Sequence, residues 1–206
     1  MRQSPDNHLL HLGKDKKLQA IMTTALPVLS VQKNIPLKLI GSIMSQQLSV
    51  KVAAVIYARF LALYDGKEPT PQEILDTPAP TLRGIGLSNA KVSYVHNVAR
   101  FAVDESLTDK KLQQMENEEV IKYLTQIKGV GRWTVEMLLM FYLNREDVFA
   151  IDDLGLQQAM IRLYKIKTED KKLLKEKLLK ISGKWAPYRT YACRYLWAWK
   201  DMKPTT

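Results

Sequence analysis

A glycine pair and an aspartate pair are the residues of this chain best placed to do chemistry. Gly129-Val130-Gly131 opens an apolar segment beginning at Arg132, and about twenty residues later Asp152-Asp153 stands at the head of another helical segment. Glycines in such a turn open backbone angles closed to other residues and remove side-chain bulk, so the amides can approach a ligand closely. The N–H groups and positive dipole end of the helix starting near Arg132 suit a phosphate oxygen. Two glycines serve a plain helix–turn–helix connection equally well, and GVGR alone does not choose between these uses. One of the aspartates is accounted for as a helix cap. A second, set between Val148-Phe149-Ala150-Ile151 and Leu154, is a carboxylate among apolar residues, and such groups are functional candidates. Facing a sugar, a carboxylate stabilises a developing oxocarbenium ion or orients an attacking water. A phosphate clamp joined to a carboxylate is the equipment of an enzyme acting on DNA.

The elements that must position these residues are helices. Apolar groups recur at three- and four-residue intervals over 37–64, 88–103, 117–127, 132–143, 153–164, 169–182 and 187–201, with short breakers between. No alternating strand pair is found, and the expected class is all-α. Thr70 with Glu73, and Ser88 ahead of an apolar run, read as helix starts. Leu82-Arg83-Gly84-Ile85-Gly86-Leu87 echoes Ile127-Lys128-Gly129-Val130-Gly131-Arg132, each leading into a helix. The lysine-rich run 165–180 alternates charge with leucine at helical spacing and reads as a solvated amphipathic face.

With 206 residues the chain is long enough for one sizeable domain or two helical lobes sharing a core. Its 31 Lys+Arg against 21 Asp+Glu leave a net charge of +10, which favours a polyanionic partner. Cys193 is the single cysteine, so an intrachain disulfide and a multi-cysteine metal or iron–sulfur site are excluded, and a buried structural thiol is expected. His8, His11 and His96 lack ligand spacing, and no metal is assigned to them. No uninterrupted apolar run is long enough to cross a membrane, and the N-terminus lacks an apolar signal core.

The run L-x-x-I-x-G-V-G-R-W-T, followed by the aspartate pair at a helix start, resembles the helix-hairpin-helix DNA glycosylase superfamily. Within it the chain is most similar to the alkylation-repair branch, the 3-methyladenine DNA glycosylase II family. Further segments resemble the family in the same order: His11-Leu12 with Asp15, Ile43 to Ser49, Gly84 to Ser88 with Ala90-Lys91, and Trp185 to Ala192 with Trp197. The resemblance covers residues 8–202.

It implies a two-lobed all-α fold with the DNA cleft between the lobes, in a compact form without an extra N-terminal β-domain. The terminal segments are expected to pack together around a central lobe of about residues 50–165. By position, Asp153 matches the catalytic carboxylate and Asp152 the residue supporting it. Gly129, Val130 and Gly131 match the hairpin gripping the DNA backbone, with Arg132 and Thr134 beside it. Gln47 falls where the family places a side chain that wedges into the gap left by a flipped base. Trp133, Trp197 and Met137 match the walls of the base pocket. A monovalent cation held by the carbonyls of Thr125, Ile127 and Val130 is implied; no cofactor is. Strand-cutting relatives carry a lysine nucleophile where this chain has Trp133, which implies a monofunctional glycosylase without abasic-site lyase activity. The partner implied is damaged double-stranded DNA, met by a monomer in a bacterial nucleoid or a eukaryotic nucleus. Excision of deaminated, oxidised or mismatched bases, and a non-catalytic helix-hairpin-helix module, are the alternatives.

Overall fold

In the computed structural model, which describes residues 7–202, the periodic span 37–64 is two helices rather than one. α1 (Asn7–Leu12) and α2 (Lys16–Gln19) are followed by α3 (Ile35–Ser45) and α4 (Val50–Ala62). Between them Gln47 takes a left-handed φ of 58°, and Ser49 caps α4 by accepting the Val52 N–H at 3.4 Å. The chain continues through α5 (Pro71–Asp76), α6 (Ala79–Gly84), α7 (Asn89–Asp104), α8 (Asp109–Gln114), α9 (Asn117–Leu124) and α10 (Arg132–Phe141). It ends with α11 (Leu154–Tyr164), α12 (Lys171–Ser182), a short 3₁₀ turn at Gly183–Trp185, and α13 (Arg189–Asp201). The class is all-α, with no strand among the described residues.

These helices sort into two units, one spanning Val31–Leu143 and the other joining the residues up to Ser30 with those from Asn144 onward. The central unit therefore runs from 31 to 143 in place of about 50 to 165, because α3 is part of its core. α3 buries Ile35, Leu37, Leu39, Ile40, Ile43 and Met44 and packs against α4, α7 and α10. A helix apolar on nearly every side must be enclosed, and each buried Leu or Ile contributes about 1.5–3 kcal/mol. Its start is held from outside: Asp109, the first residue of α8, accepts the N–H groups of Asn34 and Ile35, each at 2.8 Å. α5 opens with a capping box between Thr70 and Glu73, and Ser88 caps α7.

In the other unit α11 packs on α13 and α2. Asp15 caps α2 through the amides of Lys17 and Leu18, while its other oxygen accepts the Tyr164 hydroxyl at 2.6 Å and the Trp185 indole N–H at 3.1 Å. Burial works to raise the Asp15 pKa, but these bonds to the charged form outweigh it and the carboxyl is held below its ordinary value. Burial, with the same contact, pushes Tyr164 far above the ordinary phenol range. One carboxylate thus ties the N-terminal segment to chain more than a hundred residues away. Cys193 is buried, its thiol directed at the Val148 carbonyl, as a structural thiol should be. Among the described residues no helix is long and apolar enough to cross a membrane.

Candidate active site

The central unit supplies a hairpin and a cavity. Gly129 lies at φ 105°, and a Cβ there would fall 2.2 Å from the Tyr94 ring, so both backbone angle and packing demand glycine. The turn is closed by the Val130 N–H donating to the Ile127 carbonyl at 3.0 Å, and Asn97 Nδ2 holds the Lys128 carbonyl at 3.0 Å. Tyr94 and Asn97 sit three residues apart on α7, so one face of that helix seats the hairpin. Gly131 differs. Its φ of −93° is open to any residue, and a Cβ would meet nothing within 4 Å. The fold makes no demand for glycine there, whereas a close approach from outside would. As N-cap of α10, Gly131 also leaves the helix start without a side-chain cap.

Arg132 begins α10 with its side chain exposed and its guanidinium paired with two carboxylates. It makes paired bonds to Glu118 on α9, at 3.0 and 2.5 Å, and a third at 2.9 Å to Glu136, only 2% exposed. The hydrogen bonds from Arg132 draw the Glu118 pKa below its ordinary value. Arg132 thus braces the two hairpin helices from their exposed side. Thr134, by contrast, is turned in, with its side chain buried.

Between them, as the second residue of α10, Trp133 is 45% exposed and lines a cavity of about 480 Å³ with Thr134 and Met137. The opposite wall is Ser42, Ser45, Gln46, Gln47 and Leu48, the end of α3 and the break that follows. Gln47, Trp133 and Met137, singled out separately in the sequence, thus share one cavity. The serines and Gln46 were not singled out; only their neighbourhood to Gln47 pointed to them.

The carboxylate belongs to the other unit. Asp153 caps α11, its Oδ1 accepting the Leu156 N–H at 2.7 Å and the Trp197 indole N–H at 3.1 Å. The glycine at 155 makes room for this pair: a Cβ there would lie 3.1 Å from Asp153 Oδ1 and 3.6 Å from the indole. The residue that caps the helix is thus the second aspartate of the pair, Asp153, and it is half-buried. Trp197 does not line the cavity of Trp133 and Met137; its indole N–H is spent on the Asp153 carboxylate. Asp152 points to solvent and pairs with Lys175 at 3.0 Å. Among the described residues no cluster of three or more His, Cys, Asp or Glu is placed to hold a metal ion. The hairpin carbonyls of Thr125, Ile127 and Val130 are hard oxygen donors of the kind a monovalent cation takes.

Comparison with known proteins agrees with this arrangement. The model of HhH-GPD superfamily base excision DNA repair proteins matches residues 40–184. DNA-3-methyladenine glycosylase 1 of Schizosaccharomyces pombe is 38% identical over 194 residues, covering 92% of this chain and 84% of the relative. A solved structure of the 3-methyladenine DNA glycosylase from that organism, in complex with abasic DNA, superposes with a TM-score of 0.79 at 36% identity, covering 92% of this chain and 94% of the other. The DNA-3-methyladenine glycosidase of Bacillus halodurans gives a TM-score of 0.83 at 34% identity, covering 97% and 91%.

Proposed function

The chain belongs to the HhH-GPD superfamily of base excision DNA repair proteins, and from that premise we propose that it is a monofunctional DNA glycosylase for alkylated purines. Its substrates are bases of the 3-methyladenine and 7-methylguanine type turned out of duplex DNA. The observation that carries this reading is Asp153 held by Leu156 and Trp197 in a chain with tryptophan, not lysine, at position 133.

Each step follows from a residue already placed. The amides at the start of α10 and the turn at 129–131 grip a phosphate beside the lesion, aided by the net charge of +10. The carbonyls of Thr125, Ile127 and Val130 would hold a monovalent cation, whose chemistry would be to supply positive charge. Turning the damaged nucleotide out of the stack costs a few kcal/mol, least where pairing is already weakened, and Gln47 fills the gap. The exposed Trp133 face then meets a base made cationic by alkylation, an attraction of about 0.5–2 kcal/mol. Because that base departs neutral, its loss needs no strong general acid. Asp153 stabilises the oxocarbenium-like sugar and directs water to it, with Trp197 and the Leu156 amide fixing the carboxylate so that little reorganisation is required. The product is an abasic site in an intact strand.

Such an enzyme acts as a monomer on cellular DNA, in a bacterial nucleoid or a eukaryotic nucleus. Mass spectrometry of bases freed from methylated duplex DNA should detect 3-methyladenine and 7-methylguanine, and borohydride should trap no protein–DNA adduct. A strong adduct, or release confined to oxidised or deaminated bases, overturns the reading.

A further inference from the structure

The wall of the cavity opposite Trp133 has a support on a different helix. Lys91, in the first turn of α7, is half-buried, and its ammonium donates to the Met44 carbonyl at 2.9 Å and to the Gln46 carbonyl at 2.6 Å. Those carbonyls mark the end of α3 and the residue before Gln47. Helices commonly end on a left-handed glycine that satisfies the last carbonyls; here the chain leaves α3 through Gln46 in an extended conformation. A lysine from α7 supplies the missing donors, at the end of the helix where a cation is electrostatically favoured. The following residue, Gln47, holds a φ of 58° that residues other than glycine seldom adopt. A loop in so uncommon a conformation persists only where its surroundings over-determine it. Within the loop just two backbone bonds do so, Gln46 N–H to Ile43 at 3.3 Å and Leu48 N–H to Ser45 at 3.1 Å. Burial disfavours the charged amine and lowers the Lys91 pKa.

We infer that Lys91 is the positioning residue of the 46–48 loop, holding Gln47 in the conformation from which it enters the base stack. It touches neither substrate nor the reacting atoms; it acts through Gln47. The inference rests on the glycosylase reading for the role of Gln47, but not for the hold on the loop.

Two measurements test it. Exchange of the Gln46 and Leu48 amides in the full chain, followed by NMR, is expected to quicken at least tenfold in Lys91→Met and to stay near wild type in Lys91→Arg, which keeps the donors. Single-turnover release of 7-methylguanine from paired duplex is then compared for Gln47→Ala, Lys91→Met and the double variant. Each single variant is expected to lose at least fivefold, and the double variant to be no slower than the slower single variant, because both remove the same step. Multiplying losses, a Lys91→Met variant as fast as wild type, or unchanged amide exchange overturns the inference. If the wild type itself releases no base, the glycosylase reading fails, and the exchange comparison alone decides whether Lys91 holds the loop.

Discussion

Two turns of the central unit leave the helices after them in different states. The sequence aligns Gly84 with Gly129, but in the structure it is Gly86 that matches Gly129, Gly84 being the last residue of α6. Gly86 and Gly129 both occupy the left-handed region, at φ 111° and 105°, and each is followed two residues later by the cap of a helix. After the first, that cap is Ser88, whose hydroxyl accepts the Lys91 N–H at 3.3 Å and closes α7 on itself. After the second it is Gly131, which has no side chain to give, and α10 begins open to an outside acceptor. The glycine pattern is therefore punctuation; the cap residue decides whether a turn can hold a ligand. The backbone of Gly131 is already extended like that of Ser88, at φ −93°, ψ 163° against φ −70°, ψ 159°. The difference between the two turns is thus one of side chain and not of geometry.

This contrast can be broken in four places. The largest effect is expected at Gly129, where alanine must take a left-handed φ and displace a Tyr94 ring 2.2 Å away. Gly129→Ala should cost about 3 kcal/mol, from clash and backbone strain together. At Gly86 the nearest side-chain atom is 3.6 Å away, so Gly86→Ala should cost only the strain, about 1 kcal/mol. Thermal unfolding of the two variants should separate them by several degrees; equal losses would mean that Tyr94 does not constrain the hairpin. Next comes Gly131→Asp, which gives the second turn the cap it lacks and sets a negative charge where phosphate is proposed to bind. The fold should be as stable as wild type or slightly more so, while affinity for abasic duplex falls about 10- to 100-fold, or about 1.4–2.7 kcal/mol. Undiminished affinity in a titration at fixed salt would remove the clamp from the account. The smallest effect is the converse change, Ser88→Ala: about 1 kcal/mol of stability lost with DNA affinity within about twofold of wild type.

What the sequence could and could not reveal follows the range of the interactions involved. The starts at Thr70, Ser88 and Asp153 were readable because a cap is satisfied within three residues of itself. The break in 37–64 was not, since neither glycine nor proline marks it and its support, Lys91, lies 45 residues from Gln46. α8, six residues long, has no periodicity to read, although its Asp109 fixes the start of α3. Arg132 is placed beside DNA by its position in the hairpin; of its partners, Glu136, four residues on, is visible in sequence, but Glu118 on the preceding helix is not. The bond from Trp197 to Asp153 spans 44 residues, and only the fold brings its ends together. Motifs thus named the hairpin and the carboxylate, while the groups that orient them came from distant segments.

The proposed chemistry depends most heavily on Asp153. Asparagine there keeps an oxygen to accept the Leu156 and Trp197 N–H groups and removes the charge, so the fold should survive while stabilisation of the sugar cation is lost. Release of 7-methylguanine from methylated duplex, measured beside affinity for abasic DNA, tests this directly. For Asp153→Asn the expected result is release slowed at least about a thousandfold, some 4 kcal/mol of transition-state stabilisation, with abasic-DNA affinity within about tenfold of wild type. Release at the wild-type rate would contradict the assignment of Asp153 and the mechanism built on it.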